Sequence, residues 1–191
     1  MSDTELLERV ADRDPEAFRE LMERFAGPVT NVAARFLDNR ADAEEIAQEV
    51  FLRLYQHPPH LTPSAKLFTW LYRVTVNLCL DSLRRRRRTP ETLSLQWPAG
   101  SEEEGEPLGA KIPQQGVSTP REKLAASELA LAVRRIVASL PAPLRAPLVL
   151  STVEELSHAE IAEILQISSK AVEHRLARAR SLLKSRLTPY L

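Results

Sequence analysis

The stretch from Thr89 to Pro120 constrains this chain more than any other feature. It carries Pro90, Pro98, Pro107, Pro113 and Pro120, and four of the five glycines, Gly100, Gly105, Gly109 and Gly116. Glu102, Glu103, Glu104 and Glu106 lie in its middle. Proline removes amide donors, glycine adds backbone freedom, and the acids leave little apolar surface to bury, so no packed helix or core is expected here. The reading is a flexible acidic linker over 89–120, joining a unit at 1–88 to a second at 121–191. Charge divides along the same lines. Residues 1–88 hold 14 acids and 14 bases, residues 89–128 hold 7 and 3, and residues 129–191 hold 5 and 9, so the overall balance of zero conceals a basic C-terminal part.

Both units read as helical. Aromatics make up only 5% of the chain against 43% hydrophobic residues overall, and Leu, Ala and Val favour helices over sheets in that proportion. The fold class expected is all-α, with two small helical domains. A single cysteine, Cys79, excludes an internal disulfide and any multi-cysteine zinc site, and it fits a reducing, cytoplasmic setting. The opening MSDTELLERV is too charged for a signal peptide, and no run reaches the roughly 18 apolar residues that span a bilayer.

In the first unit, Asp14-Pro15-Glu16 is a helix start, followed by Phe18, Leu21, Met22 and Phe25 at helical spacing. Gly27-Pro28 punctuates, and Val29, Val32, Ala33 and Phe36 resume the pattern. Asp42 is read as the cap of a helix to about Gln56, with Ile46, Val50, Phe51 and Leu54 buried and Glu45, Gln48, Glu49 and Leu52 on the other side. The proline-rich segment 57–66 is a loop. Ser64 is read as the cap of a long helix that continues through five consecutive arginines, Arg84–Arg88. Phe68, Leu71, Val74, Thr75 and Leu78 face inward on it. Its second stripe is Trp70, Arg73, Asn77, Asp81 and Arg84. An aromatic, an amide and arginines on one face suit nucleic acid, with arginine on phosphates and Trp or Asn on unstacked bases, although a solvated face with a half-buried Trp would look the same. Adjacent arginines repel one another without a polyanion, which adds weight to the nucleic-acid reading, the alternative being a basic helix end that meets the acidic linker of its own chain.

In the second unit, Thr119-Pro120-Arg121-Glu122 has the form of a capping box, and Leu129, Val133, Ile136 and Leu140 follow at helical spacing. Pro141 and Pro143 break the chain. Leu144, Leu148, Val149 and Val153 then make a helix whose start Pro147 should bend or delay. Ser157-His158-Ala159-Glu160 is another capping box, leading to inward Ile161, Ala162 and Leu165. Gln166-Ile167-Ser168 is a turn, Ser168 caps the next helix, and Val172 and Leu176 face inward. Short helix, tight turn and second helix make a helix-turn-helix. The outer face of its second helix carries Ser169, Lys170, Glu173, His174, Ala177 and Arg178, and from Lys170 to Arg186 six bases accompany one acid.

Taken together, these segments closely resemble the bacterial RNA polymerase sigma factors of the extracytoplasmic-function (ECF) group, within the sigma-70 family. DPEAFRELMERF resembles the opening helix of that family, DAEEIAQEVFLRLYQ its core-polymerase-binding helix and FTWLYRVTVNLCLDSLRRRRR its −10-element helix. LPAPLRAPLVLSTVEELSHAEIAEILQISSKAVEHRLARARSLL resembles its −35-binding domain. The resemblance implies a protein that binds the polymerase core, selects a promoter and helps separate its strands. It implies that Asp42, Glu45, Gln48, Glu49 and Leu52 meet the basic clamp helices of the largest polymerase subunit. Trp70, Arg73, Asn77, Arg84 and Arg85 would face −10 DNA, and Ser169, Lys170, Glu173, His174 and Arg178 would enter the −35 major groove. The linker would thread toward the RNA exit path. An anti-sigma factor, often membrane-bound, is an expected further partner that would hold the chain near a membrane without insertion. Segment 57–66 departs from the family's usual sequence, and Gln166 stands where such turns often have Gly.

No cofactor, metal site or catalytic residue is expected. His57-Pro58-Pro59-His60 lacks helical geometry and a neighbouring Cys or carboxylate. Cys79 reads as a small apolar core residue. Two competing functions fit parts of the sequence: a free-standing regulator binding an operator through 157–186, and a protein-binding helical scaffold. The polar face at Glu45, Gln48 and Glu49 and the Trp70–Arg84 stripe disfavour the first, and the basic recognition helix disfavours the second.

Overall fold

A computed structural model describes residues 1–59, 66–88, 120–153 and 156–188. Among the described residues there are eight α-helices and no strand: α1 (Asp3–Ala11), α2 (Pro15–Leu37), α3 (Arg40–Gln56), α4 (Leu67–Arg88), α5 (Pro120–Ser139), α6 (Ala142–Val153), α7 (His158–Leu165) and α8 (Ser169–Leu187). The expected caps Ser64 and Thr119, His60 and residues 89–119 of the linker expected over 89–120 lie outside the described residues, while Pro120, the last residue of that expected linker, already opens α5. No described helix is long and apolar enough to cross a membrane.

Local chemistry accounts for the helix ends. The sequence reading missed α1, which Ser2 and Glu5 start with a reciprocal capping box and which buries Leu6, Leu7 and Val10. Asp14 caps α2, accepting from the amides of Glu16 and Ala17. Three expectations need correction. Gly27-Pro28 does not interrupt the chain, because α2 runs unbroken for 23 residues with Pro28 inside it. An internal proline costs a helix about 3 kcal/mol, and burial of Val29, Val32, Ala33, Phe36 and Leu37 just beyond it opposes that cost. Asn39, not Asp42, caps α3; its side chain accepts from the amides of Ala41 and Asp42. Pro147 does not delay α6, which starts at Ala142, upstream of it.

Helices α2, α3 and α4 pack on one another with α1 against α2, and α6, α7 and α8 form the second group with α5 on α8. Of the expected inward stripes, Leu71, Thr75 and Leu78 of α4 and Ile161, Ala162, Val172 and Leu176 of the helix-turn-helix are buried, Phe68, Val74 and Leu165 are half-buried, and Ile164 rather than Leu165 is the buried residue late in α7. The two groups also touch, through α2 with α6, α4 with α7, and α2 with α5, and their apolar residues form one continuous cluster. That contact places α7 directly against the striped face of α4.

Candidate nucleic-acid and protein interfaces

On α3, burial of Ala43, Ile46, Ala47, Val50, Phe51 and Leu54 turns the opposite side to solvent. Glu45, Gln48 and Leu52 are exposed there, and Leu52 stands out as an apolar side chain 47% exposed. Glu49 is half-buried and accepts from Arg53 Nε at 2.7 Å. Asp42 is ion-paired with Arg86, so the first turn of α3 is tied to the basic end of α4. The expected row is therefore brought together on one side, with Asp42 at its edge and already engaged. Beyond it, Tyr55 is 36% exposed and is held by Arg13, which lies over its ring and donates to its carbonyl at 2.8 Å. Sequence reasoning missed that support, because Arg13 and Tyr55 lie 42 residues apart and Arg13 stands at a turn with positive φ after α1.

On α4, Trp70 and Arg73 are half-buried, while Asn77, Arg84 and Arg85 are exposed. Arg84 pairs with Asp81 at 2.9 Å. Arg73 reaches across to the other helical group, where its Nη2 donates to the carbonyl oxygen of Glu163 in α7 at 3.0 Å. Its Nε is buried with no hydrogen-bond partner among the described residues. Arg73, Asn77 and Arg84 border a cleft of about 340 Å³ whose other walls are Ile164, Leu165 and Gln166 of the helix-turn-helix, Arg175 of α8 and residues of α6. Cys79 lies on the buried side of α4, where desolvation pushes its thiol up to about 12 and keeps it protonated.

The helix-turn-helix is built as the sequence predicts. Ser157 and Glu160 form a reciprocal capping box at α7, and Ser168 caps α8 by accepting from the amide of Ala171 at 3.2 Å. Gln166 adopts the left-handed conformation, at φ 53° and ψ 46°. Ser169, Lys170, Glu173, His174 and Arg178 are all exposed on one side of α8. With no acid in its first turn, the N-terminus of α8 presents the positive end of its dipole beside Lys170.

Two residues that hold the helical groups together were not singled out from sequence. Arg145 is buried, with Nη1 donating to the Phe36 carbonyl of α2 at 2.9 Å and Nη2 to the Leu140 carbonyl at 3.0 Å and to that of Ala138. The guanidinium thus sits where α2 and α5 end, and the partial negative charge of two helix C-termini offsets part of its desolvation. Lys66 pairs with Glu160 of α7 at 2.6 Å. Lys66 first, and then the Ser157 hydroxyl and amide, hold the Glu160 carboxyl down at about 2. Among the described residues no group of three or more His, Cys, Asp or Glu side chains could hold a metal ion.

Family profiles match both groups: "Sigma-70 region 2" over residues 21–89 and "Sigma-70, region 4" over residues 130–183. The ECF RNA polymerase sigma factor SigW of Bacillus subtilis is 32% identical over 181 residues, covering 95% of this chain and 94% of that protein. The ECF RNA polymerase sigma-E factor of Haemophilus influenzae is 28% identical over 191 residues, covering 100% and 98%. The structure of CnrH in complex with the cytosolic domain of CnrY shares the fold, with a TM-score of 0.67 at 22% identity over 97% of this chain and 96% of that one.

Proposed function

The chain belongs to the extracytoplasmic-function RNA polymerase sigma factors, and from that membership we propose which of its surfaces performs each part of the task. Sigma factors are non-catalytic initiation factors, and this chain acts by redirecting an enzyme rather than by being one. Residues 1–88 bind the polymerase core and the −10 element, residues 121–191 bind the −35 element, and 89–120 tethers them. The exposed side of α3, with Glu45, Gln48, Glu49 and Leu52 and with Asp42 at its edge, docks on a basic surface of the core. The stripe Trp70, Arg73, Asn77, Arg84 and Arg85 takes the −10 strand once its bases are unpaired, since a base inside a duplex cannot stack on Trp70. Ser169, Lys170, Glu173, His174 and Arg178 read the −35 major groove from α8. The chain works in the cytoplasm, with an anti-sigma factor as its regulator, as for the sigma factor RpoE in its co-crystal structure with the anti-sigma factor NepR from Bartonella quintana.

The observation that carries this reading is the α3 face, where acids, an amide and an exposed leucine lie together opposite a fully packed apolar side. A free-standing operator-binding protein would use this half for dimerisation or sensing, and the polar α3 face argues against that use. The experiment pairs run-off transcription with purified core polymerase and co-purification of the same core. Glu45→Lys with Glu49→Lys should abolish both while leaving the folded state within about 1 kcal/mol, since an exposed surface change such as that at Glu45 costs under about 0.5 kcal/mol and loss of the Glu49–Arg53 helix pair costs about 0.3–0.5 kcal/mol. Unchanged co-purification would remove α3 from the interface.

A further inference from the structure

The cleft at the seam of the two helical groups has a lining that polymerase and promoter contacts do not account for. Its volume of about 340 Å³ is in the range of small-molecule sites. Helix α4 supplies one wall, and α6, the end of α7 and α8 supply the others. Of its fourteen lining residues eight are apolar, Leu80, Leu83 and Ile164 among them, and four are arginines: Arg73, Arg84, Arg145 and Arg175. Asn77 and Gln166 complete the lining, and no Asp or Glu lines it among the described residues. Guanidinium groups converging beside aliphatic side chains, with no carboxylate in the wall, repel a cation and suit an anion that has an apolar body.

The four arginines are unequally engaged. Arg84 pairs with Asp81, Arg73 donates to the Glu163 carbonyl, and Arg145 donates to carbonyls at the ends of α2 and α5. Arg175 is half-buried on α8, and its side chain has no hydrogen bond or ion pair among the described residues. A guanidinium partly withdrawn from water gives up hydration, and nothing in the wall replaces it. Its planar fork matches the two oxygens of one carboxylate. Arg175 also belongs to none of the surfaces proposed for polymerase or DNA. We propose that the cleft between α4, α6 and α8 is a binding site for a small amphipathic carboxylate, with the head held by Arg175 and an aliphatic body lying along Leu80, Leu83 and Ile164.

Isothermal titration calorimetry of the full chain with octanoate at neutral pH tests the site. Wild-type protein should bind a single octanoate per chain. Acetate has the head without the body, and octanol has the body without the charge. Each should bind at least about tenfold more weakly, since a fully buried methylene is worth about fourfold in affinity and a charge-assisted pair of hydrogen bonds about tenfold. Arg175→Gln should weaken octanoate by about tenfold for the same reason. Arg180→Gln removes the same charge from an exposed position of α8 outside the cleft, and should change the affinity by less than about twofold. Ala142→Leu adds bulk to the α6 wall and should also weaken octanoate, with Arg175 left in place. Circular dichroism melts check that each variant is folded. Octanol binding as tightly as octanoate, or equal losses for Arg175→Gln and Arg180→Gln, would overturn the site. Absence of octanoate binding to the wild type at millimolar concentration would do the same.

Discussion

Gln166 shows how far single residues can be read in advance. A turn of this kind needs a left-handed residue after α7, and the sequence offers Gln where Gly would fit without strain. The structure gives φ 53° and ψ 46° there, with the Ile167 amide bonded to the Ala162 carbonyl at 3.0 Å. An L side chain in that conformation costs about 1 kcal/mol. Because Gln166 is exposed, little packing is lost on its removal. Gln166→Gly should therefore stabilise the protein by up to about 1 kcal/mol, measured as a raised urea midpoint at unchanged slope; a lowered midpoint would mean that the side chain makes a contact worth more than the strain. Arg145 is the opposite case. Nothing in PAPLRAPLVL marks its arginine as buried, because one acceptor, Phe36, lies 109 residues away. A charged residue between prolines reads as surface until the helix ends that receive it are in place.

At the scale of elements, periodicity was a good guide to faces and a poorer one to ends. The buried stripes of α3, α4, α7 and α8 follow from 3.6-residue spacing alone. Boundaries are misread where two residues can each cap, as with Asn39 and Asp42, and where a proline suggests a stop, as at Pro28. Helix α2 passes through Gly27-Pro28 because the apolar residues on both sides share one buried face, and tertiary burial outweighs the local preference. Gly27 is then simply a helical residue without a side chain. A Cβ built there meets nothing within 4 Å, so Gly27→Ala should stabilise the protein by about 0.5–1 kcal/mol through the reduced freedom of the unfolded chain. A thermal melt checks this: an unchanged or lower midpoint would show that the glycine serves a bend which alanine cannot follow.

The whole molecule was the scale least legible in the sequence. Two helical units and their order could be read from the proline-rich divide, but nothing local shows that they touch, since α4–α7 and α2–α6 packing depends on surfaces far apart in the chain. The contact has a definite pH response. Lys66, then Ser157, hold the Glu160 carboxyl at about 2, against an ordinary 4.5. The Lys66 part of that lowering strengthens the contact between the groups while the carboxyl is ionised and is lost as the pH falls toward about 2, whereas the Ser157 part belongs to the cap of α7 and is present whether or not the groups touch. Energy transfer between labels on α2 and α8 should therefore be flat from about pH 5 to 8, and the difference between wild type and Glu160→Gln should vanish only in acid. A change near neutral pH would point to another titrating group. The contact made by Arg73 carries a different consequence. On the proposed −10 assignment, one guanidinium serves both the contact between the helical groups and the DNA strand, so a change at Arg73 acts on both at once. Selection for a new −10 sequence that alters Arg73 would then also loosen the packing of α7 on α4, and a lineage drifting toward new target genes would have to restore that contact elsewhere, at α7 or at Arg145.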